Sequence, residues 1–271
     1  MTHAILKTLF LIVLSLAGYI AAFRLYSRMS RPVRIAAWAI SSATTTFWLL
    51  VHFSLFQIVS LVWLIRIMTF VPLEYSAPLV GVFAAMLQSR TNARNPPRDV
   101  FVRHNGAVLA VFLIIPFTIA PIVIPVKHKI YDEWKGEACI QTTGSTCAPA
   151  CAATILRRHG IRVTEKEAAR EVLCSELGTG MWHVGRYLRR KGLAVHVLPT
   201  GHRQENPPTP CIAGAGLGGK DGINHAIIIL DISGDTFTLM DPLTGIFQWP
   251  REKVYENYYF YGFLIHVPDP E

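Results

Sequence analysis

Apolar positions gather into long runs in the first half of this 271-residue chain and into short ones in the second. The first run, about Ala4 to Phe23, has the length a helix needs to cross a hydrocarbon core. A second, from about Ile35 to Leu87, is too long for one crossing and is interrupted by Pro72 and Pro78, with Arg66 and Glu74 inside it. It reads as two helices, or three: one version runs from Ile35 to Phe56 and then through a broken segment into a span ending near Leu87. A last run, about Ala107 to Val126, contains Pro116, Pro121 and Pro125, which a membrane helix tolerates or which mark its exit. The pattern predicts a transmembrane region of about four helices over residues 1–130 and a second domain over residues 131–271.

From residue 131 onward the periods shorten. Cys147 to His159 places Ala, Ile and Leu at helical spacing and stops at Gly160. Thr164 followed by Glu167 makes a capping box for a helix through about Cys174, and a third helix runs from about Met181 to Lys191. Strands are predicted at about Ala194–Leu198, Cys211–Ala215, His225–Asp231, Thr236–Met240 and Phe260–Val267, divided by Gly, Pro and Asp turns. Helices first and strands second give an α+β domain, a helical lobe packed on an antiparallel sheet.

Charge sharpens the division. The net charge is +8, yet before Asp132 the only acidic residues are Glu74 and Asp99. Arginines cluster at Arg24, Arg28, Arg31 and Arg34, and again at Arg90, Arg94, Arg98 and Arg103, beside the apolar runs. Basic loops between hydrophobic spans set orientation, so the lipid bilayer is the expected partner and nucleic acid is not. Lys7 is the lone basic residue at the head of the first run and the arginines follow it, which favours an uncleaved anchor over a secretory signal. With both arginine loops inside, the last span carries residues 131–271 outward. Arg66 is either an intramembrane charge paired with Glu74 or a side chain snorkelling from a helix end. All five cysteines lie after Asp132: Cys139, Cys151, Cys174 and Cys211 pair in an oxidising compartment, or remain buried thiols in a reducing one, while Cys147 stays free.

Cys147 stands at a helix start, where unpaired backbone N–H groups favour negative charge. His225 opens the strand HAIIIL and is placed to exchange a proton with that thiol. Asp241 begins the DPLTG turn after the next strand, within reach of the imidazole. Gln141, six residues before Cys147, is placed to offer an N–H to an oxyanion beside the backbone N–H of Cys147. Each alone has an ordinary structural reading; the ordered set is that of a thiol hydrolase. Cys151, one turn after Cys147, reads as structural, and Tyr255, Tyr258, Tyr259 and Phe260 as core. The histidines His159, His183, His196 and His202 follow no ligand spacing, so neither metal nor cofactor is expected. GAGLGG at 214–219 leads into a strand rather than a helix, which predicts a flexible loop bordering the cleft instead of a phosphate cradle.

Gln141 before Cys147, the APA after the thiol, HAIII, and DP followed by TG resemble the bacteriocin-processing peptidases. These are papain-like cysteine proteases that remove leader peptides after a double glycine, often as the N-terminal domain of an ABC exporter. The resemblance covers nearly all of Glu137 to the C-terminus. It implies Cys147 as nucleophile, His225 as base, Asp241 as its orienting partner and Gln141 as oxyanion donor, acting on a peptide or protein substrate. The chain departs from the family pattern in carrying Ala148 where glycine usually follows the nucleophile. No GxxxxGK[ST] phosphate loop occurs, and the apolar spans come before the peptidase segment, so the exporter role is not expected to carry over. The expectation is an integral membrane cysteine peptidase of a bacterial inner membrane, its peptidase domain extracytoplasmic, with a membrane protein as a further partner. A silent peptide-binding module and a papain-like amidase or acyltransferase at the membrane are the alternatives.

Overall fold

The computed structural model describes residues 2–52, 69–70, 77–94, 124–203 and 206–269. Two compact units divide the chain: Met1–Val59 with Pro72–Val123, and Ser60–Val71 with Ile124–Glu271.

In the first unit, α1 (Thr2–Leu25) leads through a short 3-10 turn at Tyr26–Arg28 to α2 (Arg31–His52), and α3 (Ala77–Arg94) follows. Helices α1 and α3 cross closely because glycine faces backbone in both: a Cβ on Gly81 would lie 1.9 Å from the Ser15 carbonyl oxygen, and one on Gly18 2.3 Å from that of Pro78. Among the described residues no helix is long and apolar enough to cross a membrane, which overturns the expectation of an integral membrane protein. The reason lies in polar side chains inside the helices. In α1 the described apolar side chains run from Leu9 to Phe23, a stretch that at 1.5 Å per residue spans roughly 22 Å against a core of about 30 Å. Helix α2 begins with Arg31 and Arg34 and carries five hydroxyl residues, of which Ser41 and Thr44 donate back to the Ala37 and Ile40 carbonyls. Helix α3 turns polar from Gln88. The expected span at Ala107–Val126 lies outside the described residues except for its last three, and so do Arg66, Glu74, Arg98 and Arg103.

The second unit opens with a hairpin, β1 (Glu133–Lys135) and β2 (Ala138–Ile140). Three helices follow: α4 (Cys147–Arg158), α5 (Glu165–Glu171) and α6 (Met181–Arg190). Thr164 caps α5 by accepting from the Glu167 N–H at 3.0 Å, as the T-x-x-E spacing predicts. The remaining chain forms β3 (His196–Pro199), β4 (Cys211–Leu217), β5 (Ile223–Ser233), β6 (Thr236–Asp241), β7 (Gly245–Pro250), α7 (Arg251–Asn257) and β8 (Tyr258–His266). The sheet has the order β3-β8-β4-β5-β6-β7, antiparallel throughout.

Period-two alternation explains the unbroken apolar run on β5. Ala226, Ile228 and Leu230 face the helical lobe and pack with Ala150, Cys151, Ile155 and Leu188. Ile227 and Ile229 face the other way, against Phe237, Leu239, Val254, Tyr255 and Leu264. Both faces of the central strands are therefore buried, one under α4–α6 and the other under α7. Strand β7 and helix α7, which the sequence reading did not anticipate, complete the sheet edge and cover that second face. All five cysteines are free, buried thiols.

Candidate active site

Cys147 is the first residue of α4, and the segment before it is held by its own hydroxyls. Thr146 occupies the N-cap position without capping: its hydroxyl donates to the Thr143 carbonyl at 3.1 Å, and the Thr143 N–H returns a bond to the Thr146 oxygen at 3.1 Å. The first-turn N–H groups of α4 are thus left free of a side-chain cap, as an anion site at a helix start requires. Glu165, fully buried at the start of α5, fixes the same segment from outside, accepting from the Thr142 N–H at 2.9 Å and hydroxyl at 2.5 Å. Asp132 in turn accepts from the Glu165 N–H at 2.7 Å.

Strands β5 and β6 bring the imidazole and the carboxylate together. Ile228 pairs with Met240, so Asp241 lies one step past that pair and His225 three steps before Ile228, diagonal neighbours on one face. His225 Nε2 and Asp241 Oδ1 are 2.9 Å apart, with the two residues only 8% and 2% exposed. Nε2 is thus turned to the carboxylate, and the Cys147 side chain acts on the same imidazole. Burial alone would lower the imidazole pKa, but the hydrogen bonds and charges of Asp241 and Cys147 outweigh it and push His225 up to about 9. For Asp241, burial acts to raise the pKa, and the bonds from His225, Tyr258 and the Leu243 N–H overcome it and hold the carboxyl below its ordinary range. The turn that follows is closed by a Thr244 N–H bond to the Asp241 carbonyl at 3.0 Å, with Gly245 at φ +96°, a conformation that favours glycine.

Gln141 follows β2, and its N–H donates to the Pro242 carbonyl at 2.9 Å, next to Asp241 in sequence. Its side-chain nitrogen donates to the Thr143 carbonyl at 2.7 Å, while its Oε1 is buried without a hydrogen-bond partner. An amide nitrogen carries two hydrogens, so one remains for a second acceptor.

Three further residues touch this arrangement. Cys151 donates its thiol to the Ala226 carbonyl at 3.4 Å, and burial, foremost, together with the charges of Cys147, Asp241 and Cys139, pushes its pKa well up, so it stays a neutral thiol. Tyr258, read from sequence as core, is buried but also donates its hydroxyl to Asp241 Oδ2 at 2.6 Å. Its position at the head of an aromatic strand, YYFY, gave no sign of that bond. The Cys174 thiol donates to the Ser145 carbonyl at 3.2 Å, and burial, foremost, pushes its pKa up to about 12. The glycine run at 214–219 is not the open loop expected. Strand β4 extends to Leu217, and a Cβ on Gly216 would lie 2.3 Å from the Gly219 carbonyl oxygen, so its glycines serve the hairpin's own packing.

No curated protein matches the sequence. Among solved structures, a double glycine motif protease from an AMS/PCAT transporter, in complex with the leader peptide, is 18% identical, with a TM-score of 0.42 over 52% of this chain and 93% of that one. The peptidase domain of Streptococcus ComA, a bi-functional ABC transporter involved in a quorum sensing pathway, is 12% identical, with a TM-score of 0.41 over 48% of this chain and 96% of that one. The corresponding domain of Streptococcus mutans ComA is 14% identical, with a TM-score of 0.35 over 49% and 98%. The sequence itself matches the Peptidase C39 family over residues 136–269, a stretch that contains every residue of the site described above except Asp132. Residues 136–269 thus carry the Peptidase C39 match on a helical lobe over an antiparallel sheet, and the protein is a cysteine-type peptidase.

Proposed function

We propose that the domain, taken as residues 131–271, hydrolyses peptide bonds through a thioester on Cys147, with His225 as proton carrier, Asp241 as its orienting partner and Gln141 as oxyanion donor. The Cys147 thiol gives its proton to the His225 imidazole as the sulfur attacks the peptide carbonyl carbon, and the carbonyl π electrons move onto oxygen. A Gln141 side-chain N–H and the Cys147 backbone N–H hold that oxyanion. As the C–N bond breaks, the His225 imidazolium gives its proton to the leaving amine, and the thioester remains. The neutral imidazole then takes a proton from water as the water oxygen attacks the thioester, and returns it to the sulfur as the C–S bond breaks, which releases the acid and restores the thiol. Asp241 stabilises the imidazolium and keeps Nε2 turned away from the sulfur.

The observation that carries this reading is the buried 2.9 Å bond between the His225 ring and Asp241, on an imidazole whose protonation also answers to the Cys147 side chain. A bland core histidine has no need of both a thiol and a carboxylate. The test is a proteome-derived peptide library, read by mass spectrometry for new termini with the protein and with Cys147→Ala. Cleavage by the former and none by the latter is expected; equal cleavage by both ends the assignment.

A further inference from the structure

The Asp241 carboxylate is bound unevenly. Oδ1 serves two nitrogen donors, His225 Nε2 at 2.9 Å and the Leu243 N–H at 2.7 Å. Oδ2 accepts from the Tyr258 hydroxyl at 2.6 Å. Asp241 and Tyr258 are 2% and 3% exposed, so water does not stand in for that donor. Tyr258 reaches the carboxylate from outside the β5–β6 pair: it begins β8, sits opposite Leu217 of β4, and its ring lies 6.2 Å from that of Trp249 on β7.

We propose that Tyr258 is a positioning residue: by holding Oδ2, it keeps Oδ1 turned to His225 and keeps Asp241 ionised in a buried site. This rests on the reading of Asp241 as the orienting acid. A carboxylate can swing about its Cβ–Cγ bond, and exchanging its two oxygens would present to the imidazole an oxygen that no backbone N–H fixes. The phenol hydroxyl removes that freedom. It is suited to the task because burial, the bond to Asp241 and its charge push the Tyr258 pKa far above the ordinary range, which leaves the group a donor at every working pH. The titratable groups facing Asp241 are His225 on β5, Tyr258 on β8 and Cys151 on α4, with Cys147 beyond the imidazole. Among them Tyr258 is a neutral oxygen donor to the carboxylate, so its loss bears on Asp241 first.

The experiment is Tyr258→Phe, which deletes one oxygen, assayed with N-acetylglycine p-nitrophenyl ester across pH beside Asp241→Asn, the double variant and Cys147→Ala. Tyr258→Phe is expected to lower kcat by about tenfold with KM unchanged and to move the acid limb of the kcat profile toward neutral pH. The double variant is expected to be no slower than Asp241→Asn alone, because Tyr258 acts through that carboxylate. Wild-type kcat and an unmoved acid limb in Tyr258→Phe would overturn the proposal, as would a double variant slower than Asp241→Asn by the full single-variant factor. Turnover persisting in Cys147→Ala would instead overturn the reading of the site. Should Tyr258→Phe not fold, the intact protein carrying ring-labelled tyrosine decides by NMR. A phenol Cζ signal that moves along the acid limb and is displaced in Asp241→Asn supports the proposal; no such signal overturns it.

Discussion

The Cys151 thiol donates to the carbonyl of Ala226, so the turn of helix that follows Cys147 is tied to the strand residue that follows His225. One bond of 3.4 Å thereby links the elements carrying the sulfur and the imidazole. Cys151→Ala leaves the Ala226 oxygen without this donor and opens a small void in the core. A stability loss of about 1–2 kcal/mol is expected, with a several-fold fall in kcat, measured by urea unfolding and ester turnover. Cys151→Ser restores a donor and is expected to recover most of the turnover.

The pH dependence has a definite sign at each end. His225 stands near 9 when folded against 6.5 ordinarily, so its contribution to stability is complete below about 6.5 and lost as pH rises through about 9. Asp241 is depressed below 3.8, so its contribution is complete above about 3.8 and lost as pH falls through its lower folded value. Urea midpoints are expected to be highest between about pH 4 and 6.5 as far as this pair is concerned. Turnover is expected to fall with an alkaline limb near pH 9, where the imidazolium loses its proton. In Asp241→Asn that limb is expected to move to lower pH, because burial then acts on the ring with less opposition, and kcat to fall at least about a hundredfold.

Gln141 offers a separable test of the oxyanion site. Gln141→Ala is expected to reduce kcat by roughly a hundredfold or more with little change in KM, since its N–H is needed when charge develops on oxygen. Steady-state kinetics on the same ester give both constants. An unchanged kcat would assign stabilisation to the uncapped N–H groups of α4 alone.

Glu165 lies outside the reacting groups but governs the segment between Gln141 and Cys147. Glu165→Ala removes the acceptor for two donors on Thr142 and is expected to destabilise the domain by about 2–3 kcal/mol. It is also expected to lower kcat, as Gln141 sits beside the freed residue. Thermal unfolding followed by circular dichroism, with turnover measured well below the transition, checks both effects.

Much of the second unit was legible because its signals are local. The helix from Cys147 carries its own spacing and its stop at Gly160, Thr164 and Glu167 state their cap, and HAIIIL is too short and too β-branched for a helix. His225 and Asp241 stand out in the sequence by their strand and turn contexts, and their side chains lie 2.9 Å apart. What escaped depends on distance or on weak patterns. Strand β7, GIFQWP, alternates exposed and half-buried positions at the sheet edge and ends in proline. Helix α7 is seven residues long and buries only Val254 and Tyr255, less than two turns of pattern. Tyr258 meets Asp241 across seventeen residues, a contact no spacing rule reports. The apolar runs of the first half misled for another reason. Run length and basic flanks suggested membrane spans, whereas no described helix is long and apolar enough to cross.

The thioester is the most direct mark of the chemistry. Acid quenching during turnover of N-acetylglycine p-nitrophenyl ester, followed by peptide mapping in the mass spectrometer, locates any acyl group on the chain. The expected result is a single N-acetylglycyl adduct on Cys147 that accumulates in Gln141-intact protein and is absent from Cys147→Ala. Turnover without that adduct, or an adduct on Cys139, Cys151, Cys174 or Cys211 with Cys147 unmodified, would contradict it.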